Sequence, residues 1–410
     1  MVEIVKKCKT VVIVYDYGFM NGGAAKVAIK SALGLCKKGI RVIYFSAVGP
    51  VCQELIESNV KTICLDMDDI NTAKKKTAIW NGIWNLKAEK ELKELLTDLD
   101  RNNTVVHFHG WSKALSSSVI YAASSKKFKI FITCHEYFSL CPNGGFYDYQ
   151  KEEICSCEPM SLSCVFLNCD KRSYTQKVWR VCRQFIQDFV VRRNQNIHYI
   201  SISDLNENVI KRYITHNCFS RIKNPIQFGD QVVKNITESR VILYVGRLSE
   251  EKGIALFCEA VEILRKAGTL VEGIVVGEGE KGRKLAEKYS DVKFVGWKNE
   301  MEVKEFMSNA RALVFPSKWY EGAPLTIVEA MSMGLPCIVS DCTSGVELIR
   351  DNWNGLLFRS NDILSLTEKI SFILEDDNAV RLSQNLCHYF NRDEYAEEVY
   401  ISSLLNVYTM

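Results

Sequence analysis

Arg240-Val241-Ile242-Leu243-Tyr244-Val245-Gly246-Arg247-Leu248-Ser249-Glu250-Glu251-Lys252-Gly253 runs from an apolar, β-branched stretch into a loop with two cations, and then into a segment of helical period. An unbroken apolar run of this length reads as a strand buried on both faces, and such a strand followed by a helix is half of a βαβ unit. Downstream the pattern repeats, with strands expected at 273–276, 292–295, 312–315 and 337–340, each leading into a helical segment. Upstream, strands expected at 10–15, 41–45, 61–65, 104–108, 129–133 and 198–203 alternate with helical segments that include 24–38, 88–99 and 205–215. The fold class expected is therefore α/β, with two Rossmann-like, doubly wound units in tandem.

Length agrees with two units, because a chain of 410 residues exceeds what one core of up to roughly 250 residues accommodates. Pro225, in Lys223-Asn224-Pro225-Ile226, bars helix and favours an extended residue before it, which places the join there. The organisation expected is a first domain over 1–222 with a cysteine-rich insertion at 134–170, and a second over 227–390. The terminal segment 391–410, apolar at helical spacing from 394 to 407, is expected to pack back on the first domain. Ligands of open α/β sheets bind beyond the carboxyl ends of the strands, so two such sheets facing each other would share one cleft.

Composition narrows the function. A net charge of +3 argues against a nucleic-acid protein, which concentrates a strong basic excess on one face. The apolar run after the first nine residues is too short for a leader's core or a membrane span, so a cytosolic chain is expected. Sixteen cysteines in such a chain read as reduced thiols.

The chemistry gathers after strands. Arg247 offers a planar fork for phosphate and Lys252 a compact point charge, while Gly253 permits a sharp entry into the helix, a combination that suits a diphosphate. Further on stands Pro316-Ser317-Lys318-Trp319-Tyr320-Glu321-Gly322-Ala323-Pro324-Leu325-Thr326-Ile327-Val328-Glu329-Ala330-Met331. Pro324 suits the first helical turn, and Gly322 and Ala323 leave backbone amides open at a helix start. Glu321 in the loop and Glu329 inside the helix can reach different ends of one ligand. A competing reading is Gly277-Glu278-Gly279-Glu280-Lys281-Gly282, which spells a dinucleotide fingerprint. Glu278 and Glu280 would oppose a pyrophosphate there, and that reading is set aside.

Gly246-Arg247 with Lys252-Gly253, taken together with Glu321-Gly322, Pro324, Glu329-Ala330-Met331, Gly334 and Pro336, resembles the signature of the retaining family-4 glycosyltransferases of GT-B fold. The resemblance implies that Arg247 and Lys252 bind the diphosphate of a UDP- or GDP-sugar donor, that Glu321 contacts the transferred sugar, and that Glu329 holds the ribose. Gly322, Ala323, Pro324 and Leu325 would line the donor, and Gly296-Trp297 resembles the family's base-binding loop. In the first half, Asn21-Gly22-Gly23 resembles the glycine-rich first loop; Ala25 stands where the family often has an acidic residue, so only Gly22 and Gly23 carry over. His109, in His107-Phe108-His109-Gly110, aligns with a histidine that lies against the donor sugar and is expected to be catalytic with Arg247, Lys252 and Glu321. His107, on the other face of its strand, would point into the sheet.

On the acceptor side, His135 follows its strand and joins His109 as an expected contact. Cys155, Cys157, Cys164 and Cys169 lie close enough in sequence to surround a structural zinc ion, or to be ordinary thiols. Lys171 to Arg193 interleaves cations with Trp179, Phe185, Ile186 and Phe189: a helix that rests on an anionic membrane, or a core helix with a basic outer face. Similarity to bacterial capsule, lipopolysaccharide and exopolysaccharide enzymes implies a glycan or lipid-linked glycan acceptor, met at the inner face of the cell membrane. Catalysis with no required cofactor is expected. The alternatives are a nucleotide-sugar epimerase of the same fold and a non-catalytic nucleotide-sugar sensor.

Overall fold

The computed structural model describes residues 8–229, 232–233 and 236–410; residues 1–7, part of the segment read above for leader character, lie outside the described residues. The first sheet consists of β1 (Thr10–Tyr17), β2 (Arg41–Val48), β3 (Lys61–Cys64), β4 (Thr104–Phe108), β5 (Lys129–Thr133), β8 (Ile197–Ser201) and β9 (Cys218–Arg221). A two-stranded antiparallel hairpin, β6 (Tyr147–Asp148) with β7 (Glu153–Ile154), interrupts the series. In the sheet the order is β3-β2-β1-β4-β5-β8-β9, and all neighbours are parallel. Val11, Val12, Ile13 and Val14 of β1 are all completely buried, which is why these four consecutive positions are apolar rather than alternate ones.

The second sheet is β10 (Val241–Val245), β11 (Glu272–Val276), β12 (Val292–Phe294), β13 (Ala312–Phe315), β14 (Cys337–Ser340) and β15 (Leu356–Phe358), ordered β12-β11-β10-β13-β14-β15 and again parallel. In each sheet the strand order reverses once, between β1 and β4 and between β10 and β13. At such a switch point the loops leaving adjacent strands diverge and open a crevice. Two edge strands, β9 and β15, escaped the sequence reading. β9, Cys218-Phe219-Ser220-Arg221, lacks an apolar run, and the run of β15, Leu356-Leu357-Phe358, is only three residues long; short strands commonly blunt a sheet edge in this way.

The chain divides into two compact units. One comprises residues up to Phe146, Ser156–Pro225 and Glu394–Met410; the other comprises Tyr147–Cys155 and Ile226–Asp393. The insertion expected as one appendage over 134–170 is thus split, because its β6–β7 hairpin packs with the second unit. Glu152 of the hairpin pairs with Lys318 Nζ at 3.2 Å, and Lys318 also meets Glu250 at 3.3 Å. The terminal helix Glu397–Tyr408 packs in the first unit. Tyr400 shares a 2.7 Å hydrogen bond with Ser31, and Ile401 fills the space that a Cβ on Gly34 would occupy.

Helix Tyr174–Val190 is inside out. It buries Lys177, Arg183, Gln184 and Gln187, and exposes Tyr174, Val178, Cys182, Phe185 and Phe189 at helical spacing. Every buried polar group has a partner, which makes the arrangement tolerable. Lys177 reaches the thiols of Cys169 and Cys164, Arg183 the carbonyls of Ser112 and Pro142, and Gln187 the carbonyl of Phe138 and the indole of Trp111. The basic outer face entertained above is not present; the outer face is apolar.

Candidate active site

At the switch point of the second sheet the chain leaves β10 through Gly246-Arg247-Leu248-Ser249 into one turn of 3-10 helix, Glu250–Lys252, and then into helix Ile254–Lys266. Gly253 joins the two helices in the left-handed region, at φ 68°. A Cβ there would lie 1.9 Å from the carbonyl oxygen of Pro316, so glycine is what lets the loop after β10 touch the loop after β13.

That contact brings Lys252, one of the two predicted diphosphate residues, to Glu321. Lys252 Nζ lies 2.5 Å from Glu321 Oε1, which also accepts hydrogen bonds from Ser317 Oγ at 2.9 Å and the indole N–H of Trp319 at 2.6 Å. Three donors on one oxygen hold the carboxylate in a single orientation. Lys252 also lies 5.5 Å from the centre of the Trp319 ring, a cation–π contact. Arg247 is held by Glu251, Nη2 to Oε1 at 2.7 Å, and Ser249 Oγ donates to the same oxygen at 2.8 Å. Glu251 is only 1% exposed while the Arg247 side chain is 60% exposed, so a buried carboxylate anchors an accessible guanidinium. Burial would raise the acid range of Glu250, but Lys281 and Lys318 outweigh it and lower its pKa. Cys342, just after β14, donates its thiol to the carbonyl of Ser317 at 3.3 Å. Sequence reading missed Glu251, Ser317, Trp319 and Cys342. Only the i,i+4 spacing of Arg247 and Glu251 hinted at any of them.

The glycine fingerprint now has a structural explanation. A Cβ on Gly277 would lie 2.0 Å from Gly246 O, and one on Gly279 would lie 2.4 Å from Leu248 O. A Cβ on Gly282 would lie 2.8 Å from the Leu248 side chain. Leu248 N–H donates to Glu278 O at 2.9 Å. All three glycines let the loop after β11 lie directly on the loop that carries Arg247. They serve protein packing.

The switch point of the first sheet holds the histidines. Asp16, buried at the end of β1, accepts hydrogen bonds from the backbone N–H groups of Lys113, Ala114 and Leu115 at 2.8–2.9 Å, clamping the loop after β4. Burial raises its pKa against those three donors. His107 bonds Tyr408 at 2.6 Å and Thr133 at 2.8 Å. His109 shares a 3.0 Å hydrogen bond with His135 through Nδ1; its Nε2 is buried with no hydrogen-bond partner among the described residues. Burial depresses all three histidines, His107 to about 3 and His135 to about 4.

The remaining predicted residues are distributed as follows. Gly22 and Gly23 start helix Gly23–Lys37, where Lys26 N–H donates to Gly22 O at 3.1 Å. Pro324 is the cap before helix Leu325–Ser332, with Gly322 buried beside it and Ala323 partly exposed. Glu329, on that helix, borders a small recess with Gln227, Phe228 and Lys304. Trp297 is 68% exposed, and its backbone N–H donates to Glu278 Oε1 at 3.5 Å. The four cysteines divide between the two units. Cys155 falls in the second unit and the other three in the first, and the Lys177 ammonium sits against Cys164 and Cys169. Among the described residues no group of three or more His, Cys, Asp or Glu side chains could hold a metal ion.

Residues 227–392 match the family described as Glycosyl transferases group 1. Similar curated proteins include the UDP-Gal:alpha-D-GlcNAc-diphosphoundecaprenol alpha-1,3-galactosyltransferase of Escherichia coli, 29% identical over 41% of this chain and 47% of that protein. Another is the amylovoran biosynthesis glycosyltransferase AmsK of Erwinia amylovora, 34% identical over 30% of this chain and 33% of its own length. The chain therefore spans about half or less of the length of these relatives. Among solved structures, sucrose-phosphate synthase from Thermosynechococcus elongatus superposes with a TM-score of 0.70 at 18% identity, covering 98% of both chains. Anabaena HepE, solved with UDP, gives 0.67 at 13% identity over 98% of this chain and 99% of its own. The fold is thus GT-B, and residues 227–392 match the glycosyl transferases group 1 family.

Proposed function

We propose that this chain is a glycosyltransferase that moves a sugar from a nucleotide-diphosphate sugar to a glycan or lipid-linked glycan acceptor, in the synthesis of a cell-surface polysaccharide. The observation that carries the reading is the pairing of Lys252 with Glu321 at the switch point of the second sheet, with an accessible Arg247 anchored by Glu251 on the same loop as Lys252. Departure of a sugar leaves negative charge on the diphosphate, and a pre-oriented guanidinium and ammonium meet that charge with little reorganisation. Glu321, held by Lys252, Ser317 and Trp319, is placed to accept hydrogen bonds from sugar hydroxyls rather than to attack carbon. The anomeric configuration is retained, with the departing phosphate taking the acceptor's proton. Glu329 holds the ribose. On the first unit, the buried Nε2 of His109 is the group offered to the substrate, with His135 orienting its ring.

The acceptor is met at the cytoplasmic face of an anionic membrane. Helix Tyr174–Val190 supports this with its outward apolar stripe and the cations Lys171, Arg172, Arg192 and Arg193 at its two ends. The charge at those ends commits the stripe to anionic lipid.

The test is kinetic. Arg247→Ala and Lys252→Ala should each remove about 2–4 kcal/mol of transition-state stabilisation, read as kcat/KM for the nucleotide-sugar. Unchanged turnover in both overturns the assignment. Release of a free epimerised sugar without acceptor identifies an epimerase instead, and donor binding without turnover identifies a sensor.

A further inference from the structure

The polar face of helix Tyr174–Val190 does not close completely on its own unit. It borders a cavity of about 250 Å3 whose walls include Lys113, Arg172, Arg180 and Arg183, with the rings of Phe138 and Trp179. Four cations line one recess, and they are answered unevenly. Arg180 is paired with Asp170 at 2.8 Å. The others are met by neutral groups. Arg172 donates to the amide oxygen of Asn71, and Arg183 to the carbonyls of Ser112 and Pro142. The Arg183 guanidinium also lies 5.1 Å from the Phe138 ring centre and 5.2 Å from that of Trp179, and the Lys113 ammonium lies 5.4 Å from Phe138.

Burial lowers the pKa of both Lys113 and Arg183, the latter to about 10. Arg180 adds to the effect in each case, while Glu136 and Asp16 act against it. Asp16 is already engaged by three backbone N–H groups. Like charges crowded in a low-dielectric recess repel, and an anion placed among them gains from every one. Planar guanidinium forks beside a point-charge ammonium are the donor set of phosphate recognition. The two aromatic walls supply apolar contact for whatever carbon the phosphate carries.

We propose that this cavity is a second anion site, separate from Arg247 and Lys252, that takes the phosphate or diphosphate of the acceptor. The word acceptor rests on the glycosyltransferase reading; the anion chemistry of the cavity does not. Phosphoryl groups reach such a site on a polyprenyl lipid or on a soluble glycan phosphate.

The experiment first silences the donor side with Arg247→Ala and Lys252→Ala together, then titrates inorganic diphosphate by calorimetry. Binding is expected, and adding Lys113→Met should weaken it at least tenfold. Thermal melting reports whether that variant is folded. Arg172→Gln, at the exposed rim, is the second variant, with a weakening of several-fold. Absence of diphosphate binding, or equal affinity with and without Lys113, overturns the proposal. Phosphatidylcholine vesicles with and without polyprenyl diphosphate then separate the sources. Capture that needs the diphosphate lipid and is lost in Lys113→Met assigns the lipid, whereas Lys113-dependent binding of a soluble glycan phosphate without vesicle capture assigns the soluble form. A wild-type chain that binds diphosphate in the cavity but no nucleotide-sugar would defeat the glycosyltransferase reading and leave the anion site standing. Intact donor binding with a silent cavity would do the reverse.

Discussion

Gly253 and Gly277 sit where a side chain has no room, and each does so to bring one βα loop of the second sheet against another. At Gly253 the backbone is left-handed and a Cβ would overlap Pro316 O; at Gly277 it would overlap Gly246 O. Gly253→Ala should therefore cost about 1–3 kcal/mol through strained backbone and a forced shift of the loop after β13. A fall in the denaturant midpoint of the second unit checks this, together with loss of donor affinity as Lys252 and Glu321 separate. An unchanged midpoint would show that the loops yield freely. Arg247, Lys252 and Glu321 were legible because charged residues just beyond apolar strands are unusual and specifically spaced. Glu251 and Trp319 were not, because a buried acid anchoring an arginine has the same local sequence as a solvated one.

At the scale of the element, helix Tyr174–Val190 is the instructive case. Its period was legible from alternating apolar and basic positions, but period alone does not say which face is inside. The face buried is the polar one, because the segments packed against it offer carbonyls and thiols to Lys177, Arg183 and Gln187. Phe185 and Phe189, 59% and 52% exposed and in edge-to-face contact, carry the outer stripe. Replacing both by serine should abolish flotation with anionic vesicles and leave the melting temperature nearly unchanged. Equal flotation by wild type and variant would remove the membrane role.

Across the whole molecule the chain crosses between its two units more than once, and the last crossing bears on stability. Glu394–Met410 returns to the first unit and sets Tyr408 against His107. His107 and His135 are kept neutral by burial, at about 3 and about 4. Unfolded, each takes a proton near 6.5. The folded pKa is the lower one, so the unfolded chain binds protons first as pH falls. Their contribution is complete above pH 6.5 and declines as pH falls from 6.5 to about 4 for His135 and to about 3 for His107, at about 1.4 kcal/mol per pH unit for each histidine. Urea denaturation of the first unit at pH 7.5 and pH 5.5 should thus give a clearly lower midpoint at pH 5.5, and His135→Gln should flatten the difference. A midpoint independent of pH would contradict the burial assigned to these rings.

The sequence by itself determined the two parallel sheets and the position of Arg247, Lys252 and Glu321 just beyond strands of the second, because strand burial and charge at strand ends leave their mark within a few consecutive residues. Edge strands β9 and β15, the split of the insertion between units and the inversion of helix Tyr174–Val190 were decided only by tertiary structure. Each depends on which distant groups arrive to cover a surface or satisfy a donor, and a carbonyl such as Pro142 or a thiol such as Cys169 declares that role only once the chain has folded around it.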